Sequence, residues 1–138
     1  MPAKFEAGTP NIAGGIGLGA AADFMLQVGM EQIAARDAVL RAYAETALAQ
    51  VPGLRVIGTA KNKAPVFSFV IDGIHAHDIG TIIDHHGVAV RTGHHCTMPI
   101  FQYFGLAGSC RASLAFYNTE QEVDILVESL LKAKAMFA

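Results

Sequence analysis

The stretch "PVFSFVI" (Pro65–Ile71) is almost entirely apolar, β-branched and aromatic. Such a run, too short for a helix and bounded by a proline and Asp72-Gly73, reads as a strand. Because it offers apolar side chains in both directions, its place is the centre of a sheet. Upstream, "LRVIG" (54–58) reads as a second strand, joined to the first by the polar turn "TAKNKA" (59–64).

Working outward toward the C-terminus, "HAHDIGTIIDHHG" (75–87) is a short helix. His77 or Asp78 is its expected cap, Ile79, Ile82 and Ile83 face inward, and Gly87 ends it. "VAVRTG" (88–93) is a strand, "MPIFQYFGL" (98–106) a brief helical turn, and "RASLAFY" (111–117) a further strand. The last segment, "NTEQEVDILVESLLKAKAMF" (118–137), opens on a Thr119-x-x-Glu122 capping box. It continues as an amphipathic helix through Val123, Leu126, Val127, Leu130 and Leu131.

Toward the N-terminus, "MEQIAARDAVLRAYAETALAQV" (30–51) is a helix with Ile33, Leu40, Ala44, Ala47, Leu48 and Val51 inward and Arg36, Asp37, Arg41 and Glu45 toward water; Pro52-Gly53 ends it. Before it, "NIAGGIGLGAAADFMLQVG" (11–29) has Asn11 as cap and Ile16, Ala20, Phe24 and Val28 at helical spacing. Its glycines do not follow G-x-G-x-x-G and no strand precedes them, so they read as close packing against a neighbour, not as a nucleotide loop. "MPAKFEAGTPN" (1–11) reads as extended, with a tight turn at Gly8-Thr9-Pro10. The expectation is a single α+β domain over residues 1–138, a mostly antiparallel sheet of about four strands covered by helices.

Composition narrows the function. The chain has 138 residues, 52% of them hydrophobic and only 16% charged, with net charge -2. The apolar surplus implies burial against a second domain or subunit. No apolar run reaches the ~20 residues of a membrane span. No clustered basic face points to nucleic acid, and the first residues lack the pattern of a secretory signal. Two cysteines, Cys96 and Cys110, make no disulfide framework, so a reducing, cytoplasmic setting is expected.

Chemistry concentrates in "RTGHHCTMP" (91–99). His75, His77, His85, His86, His94, His95 and Cys96 raise a metal reading, yet adjacent histidine pairs do not match spaced ligand pairs, and no metal is expected. His85 and His86 suit a helix C-terminus; His75 and His77 suit loop or cap roles. Cys96 follows a strand, lies in a loop after Gly93, and has Arg91, His94 and His95 close by, the setting of a reactive thiol. Cys110 reads as structural. Arg91 and Arg111 stand at strand ends, either snorkelling to water or gripping a carboxylate bidentately. With a thiol between them in sequence, they suggest a small anionic substrate held beside a nucleophile.

The segments "FEAGTPN", "VAVRTGHHCTMP" and "CRASLAFYNTEQEVD" together resemble the C-terminal part of group II (SufS/CsdA-type) cysteine desulfurases, class V aminotransferase-like enzymes of fold-type I that use pyridoxal phosphate (PLP). The likeness runs from about Phe5 through the last helix. It implies that Cys96 attacks the sulfur of L-cysteine, keeps it as a persulfide and releases L-alanine. It also implies that Arg111 binds the substrate carboxylate, with Arg91 lining the same pocket and His94 and His95 supporting the loop. Gly8 and Thr9 match the turn that reaches the PLP phosphate of the neighbouring subunit in a homodimer. The sulfur acceptor it implies is a SufE- or SufU-type protein serving Fe–S cluster assembly. The family's PLP-binding lysine follows a histidine, whereas none of Lys4, Lys61, Lys63, Lys132 and Lys134 does. The expectation is therefore a small C-terminal domain without the PLP-lysine domain, inactive alone. The alternatives are a selenocysteine lyase of the same family, a PLP-independent sulfur carrier or interaction module, and a zinc-binding structural module.

Overall fold

The computed structural model describes residues 2–137. The chain divides into two compact units between Ala35 and Arg36. In the first, Pro2–Phe5 forms a single 3-10 turn where an extended segment was expected. Proline at the first position of such a turn costs nothing, because its missing N–H would have no partner there. Helix α1 (Ile12–Val28) follows, and the side-chain oxygen of Asn11 accepts from the Gly14 N–H at 2.9 Å, the expected cap. No residue of α1 is buried. Gly29, at φ 95°, separates α1 from α2 (Met30–Leu48).

The second unit is built on four strands: β1 (Leu54–Ile57), β2 (Val66–Ile71), β3 (Arg91–Gly93) and β4 (Ser109–Ser113). Their order is β1-β2-β4-β3 and every pairing is antiparallel. Strand β2, within the apolar Pro65–Ile71 run, is central as expected. One of its faces is the core: Phe67, Phe69 and Ile71 pack with Ala44, Leu48 and Val51 near the end of α2, Ile79 and Ile83 of α3 (Ala76–Asp84), and Val123, Leu126 and Leu130 of α5 (Glu120–Ala135). A fourth helix, α4 (Met98–Phe104), lies between β3 and β4 in sequence. The fold is thus α+β, with an antiparallel sheet carrying helices, as expected.

Several local expectations shift. Val88 and Val90 pack against the core, but the strand itself is confined to Arg91–Gly93. Strand β4 begins at Ser109 rather than Arg111, because pairing with β3 starts at Gly93↔Ser109. The cap of α3 is His75, whose Nδ1 accepts from the His77 N–H, in place of His77 or Asp78. Arg36 does not simply face water: it donates twice to the Glu120 carboxylate and once to the Asn118 carbonyl, tying α2 to the start of α5. Thr119 and Glu122 complete the capping box on both sides.

Candidate active site

Strand alternation decides where the chemistry sits. Residues directly opposite one another in a sheet share a face, and successive residues alternate. Cys110 lies opposite Phe69 and Thr92, so it belongs to the core face. Its neighbours Ser109 and Arg111 therefore belong to the other face. Arg111 lies between Ser68 on one side and Arg91 on the other, in register across three strands. The face away from the core thus carries two arginines and two serines.

The loop after β3 lifts Cys96 over this face. Gly93 turns the chain at φ 113°, and Gly108, just before β4, lies so close that a Cβ on it would meet the Gly93 Cα at 3.3 Å. These two glycines bring the loop's ends together, backbone on backbone. Between them His95 (φ 53°) and Cys96 (φ 61°) are the only non-glycine positive-φ positions among the described residues. A left-handed conformation costs an ordinary residue roughly 1–2 kcal/mol, and local contacts hold this one. The Thr97 N–H donates to the His94 carbonyl at 2.9 Å and the Thr97 hydroxyl to the same oxygen at 2.8 Å. His94 and His95 both rest on the ring of buried Phe101 from α4, with centroids 5.7 and 5.9 Å away.

Cys96 is exposed, and Arg91 Nη2 donates to its Sγ at 3.5 Å. His95 Nε2 makes a 3.0 Å hydrogen bond with the Ser109 hydroxyl, which donates onward to Ser68 Oγ at 3.4 Å. Burial, and next the positive charge of Arg111, lower the pKa of His95 below its ordinary 6.5. Arg111 keeps a buried Nε with no hydrogen-bond partner, and His95 Nδ1 is likewise unpartnered. A buried guanidinium N–H without an acceptor, facing another arginine, is a place made for an anion.

Cys96, Arg91, His95 and Arg111 therefore come together, as the sequence suggested, and His94 supports the loop through Phe101. Gly8 and Thr9 lie in the first unit, exposed in a bend ahead of α1. Ser109 and Ser68 were not anticipated; alternation about Cys110 was the signal that could have placed Ser109 on the arginine face. Cys110 is buried, donates to the Ala76 carbonyl at 3.2 Å, and its pKa is pushed up to about 12 by desolvation, so it is a structural thiol. The other histidines serve the backbone or solvent: His85 Nδ1 lies 2.8 Å from the Thr81 carbonyl. Among the described residues no three His, Cys, Asp or Glu side chains gather as a metal site.

An exposed cysteine on a left-handed turn, beside an arginine pair on a polar sheet face, defines a thiol-bearing α+β domain. The chain belongs to the aminotransferase class-V family, whose model matches residues 1–126. It is 52% identical over 135 residues to a probable cysteine desulfurase of Xylella fastidiosa (strain Temecula1), a match covering 98% of this chain and 32% of that protein. The cysteine desulfurase CsdA of Escherichia coli, solved in its S-sulfonic acid form, superposes with TM-score 0.88 at 36% identity, covering 99% of this chain and 34% of that one. The apo cysteine desulfurase of Thermococcus onnurineus NA1 superposes with TM-score 0.86 at 34% identity, covering 95% and 33%. The chain spans about a fifth to a third of the length of the curated relatives it matches.

Proposed function

We propose that this chain is the nucleophile-bearing small domain of a PLP-dependent cysteine desulfurase of the group II type. The observation that carries the reading is the contact of Arg91 with an exposed Cys96 thiol beside the Arg91–Arg111 pair. In this reading Arg111 and Arg91 grip the carboxylate of L-cysteine and present its sulfur to Cys96 Sγ. The net reaction converts L-cysteine and the Cys96 thiol into L-alanine and a Cys96 persulfide. The exposed loop then offers that sulfur to an acceptor protein of the SufE or SufU kind, for Fe–S cluster assembly.

The residues present fit one part of a PLP site. The partnerless Arg111 Nε fits a carboxylate substrate, and the exposed turn at Gly8 and Thr9 offers N–H and hydroxyl donors to the PLP phosphate of the neighbouring subunit in a homodimer. The lysine that binds PLP is assigned to a large domain outside this sequence. When bound, PLP supplies the electron sink that loosens the substrate's carbon–sulfur bond. Both cysteines are free thiols, which suits a reducing, cytoplasmic setting.

The test replaces the matching third of the Xylella fastidiosa relative with this chain. The chimera is expected to release alanine from L-cysteine, and Cys96→Ala to abolish release while visible absorbance still reports bound PLP. The chain alone, given PLP and L-cysteine, is expected to release none. A PLP-loaded chimera that releases no alanine overturns the proposal. If Cys96 then still takes one sulfur from a polysulfide without PLP, read by intact mass, a carrier module replaces it.

A further inference from the structure

Two observations converge on a group the sequence did not reveal. The His95–Cys96 turn is held in a backbone conformation that neither residue favours. The strongest polar tie from that turn to the sheet is the imidazole of His95, whose Nε2 meets Ser109 Oγ at 3.0 Å. Ser109 is fully buried in β4, and its hydroxyl donates to Ser68 of β2 at 3.4 Å. With that proton directed to Ser68, Ser109 accepts from His95, which fixes the tautomer carrying hydrogen on Nε2.

We propose that Ser109 and Ser68 are positioning residues, which through His95 hold the left-handed turn and so set where the Cys96 thiol points. The chain Ser68–Ser109–His95 crosses two central strands and ends one residue from the thiol. The Thr97–His94 hydrogen bonds lie within the loop, and the Arg91–Cys96 Sγ contact to β3 is a long one at 3.5 Å, so the 3.0 Å His95–Ser109 bond is the main polar anchor of the turn on the sheet. Removing the Ser109 hydroxyl leaves the His95 N–H without its acceptor and frees the turn to relax, which carries Sγ away from the Arg91 donor. The arginine pair is untouched, so substrate grip remains. The proposal rests on the desulfurase reading above for its turnover readout only.

The test uses the PLP-loaded chimera and its Ser109→Ala, Ser68→Ala and Ser68→Thr variants, with circular dichroism as the check on folding. Ser109→Ala is expected to lower kcat about tenfold, in line with the sensitivity of such steps to small misplacement, with KM for L-cysteine within about twofold. Ser68→Ala is expected to lower kcat less, and Ser68→Thr, which keeps a hydroxyl, to restore most of the rate. Iodoacetamide alkylation of Cys96 is expected to slow at least about threefold in Ser109→Ala as Sγ loses the Arg91 contact. Unchanged kcat and unchanged alkylation in folded Ser109→Ala overturn the proposal, as does a rise in KM alone. If the unsubstituted chimera releases no alanine, the functional reading fails while alkylation still decides this one.

Discussion

Arg91 and Arg111 face each other directly across the β3–β4 pairing, two like charges on one face of a sheet. Such an arrangement costs stability unless something anionic lies between or beside them. It also leaves the Arg111 Nε buried without an acceptor. Arg111→Gln is therefore expected to raise the chimera's KM for L-cysteine at least about tenfold, the worth of a charge-assisted hydrogen bond. Its melting temperature is expected not to fall. A lowered melting point with unchanged KM would assign Arg111 to the fold instead.

The two thiols are expected to part cleanly in reactivity. Cys96 is exposed, whereas Cys110 is buried in β4 with its pKa near 12. Native alkylation at about pH 8 is expected to add one group, at Cys96, and denaturation to expose the second. Peptide mass mapping reads the outcome; modification of Cys110 in the native protein would contradict the packing described.

The Arg36–Glu120 pair gives stability a defined pH dependence. The Arg36 hydrogen bonds hold Glu120 down to about 2, against an ordinary 4.5. A depressed carboxylate contributes stability that is present above its unfolded pKa and fades as pH falls from about 4.5 through about 2. The urea midpoint is expected to drop across this window, and Arg36→Gln is expected to flatten that drop. Comparing midpoints at neutral pH and near pH 3 in both proteins measures it.

A tight approach between α3 and β3 offers a packing test. A Cβ on Gly80 would lie 2.5 Å from Thr92 Cγ2. Gly80→Ala is expected to destabilise by about 1–3 kcal/mol through overpacking, despite the better helix propensity of alanine. Adding Thr92→Ser, which deletes the obstructing methyl, is expected to recover most of that loss. Denaturant midpoints of the single and double variants read it.

Where local chemistry governs, the sequence could be read. The Thr119–Glu122 cap, the central β2 strand, the exposed Cys96 and the buried Cys110 each follow from a few neighbouring residues. What escaped depends on register and partners. The shortness of β3 follows from where β4 pairs with it, and Val88 and Val90 look like strand residues although they only pack against the core. Arg36 belongs to the polar side of its helix by periodicity, and only the folded chain brings Glu120 to it. Ser68 and Ser109 are separated by forty residues of unrelated sequence, so their link to His95 exists only once three strands have aligned.

The contact between Gly93 and Gly108 has an evolutionary corollary. Because the sheet itself fixes both ends of the segment that carries Cys96 and α4, residues added between the His95 anchor and Gly108 would leave the strand pairing intact. Doubling a flexible loop costs only about 0.6 kcal/mol of closure entropy. The fold can thus host cysteine arms of very different reach on one unchanged base, so that how far the thiol travels becomes a property of the insert, open to change by insertion or deletion alone.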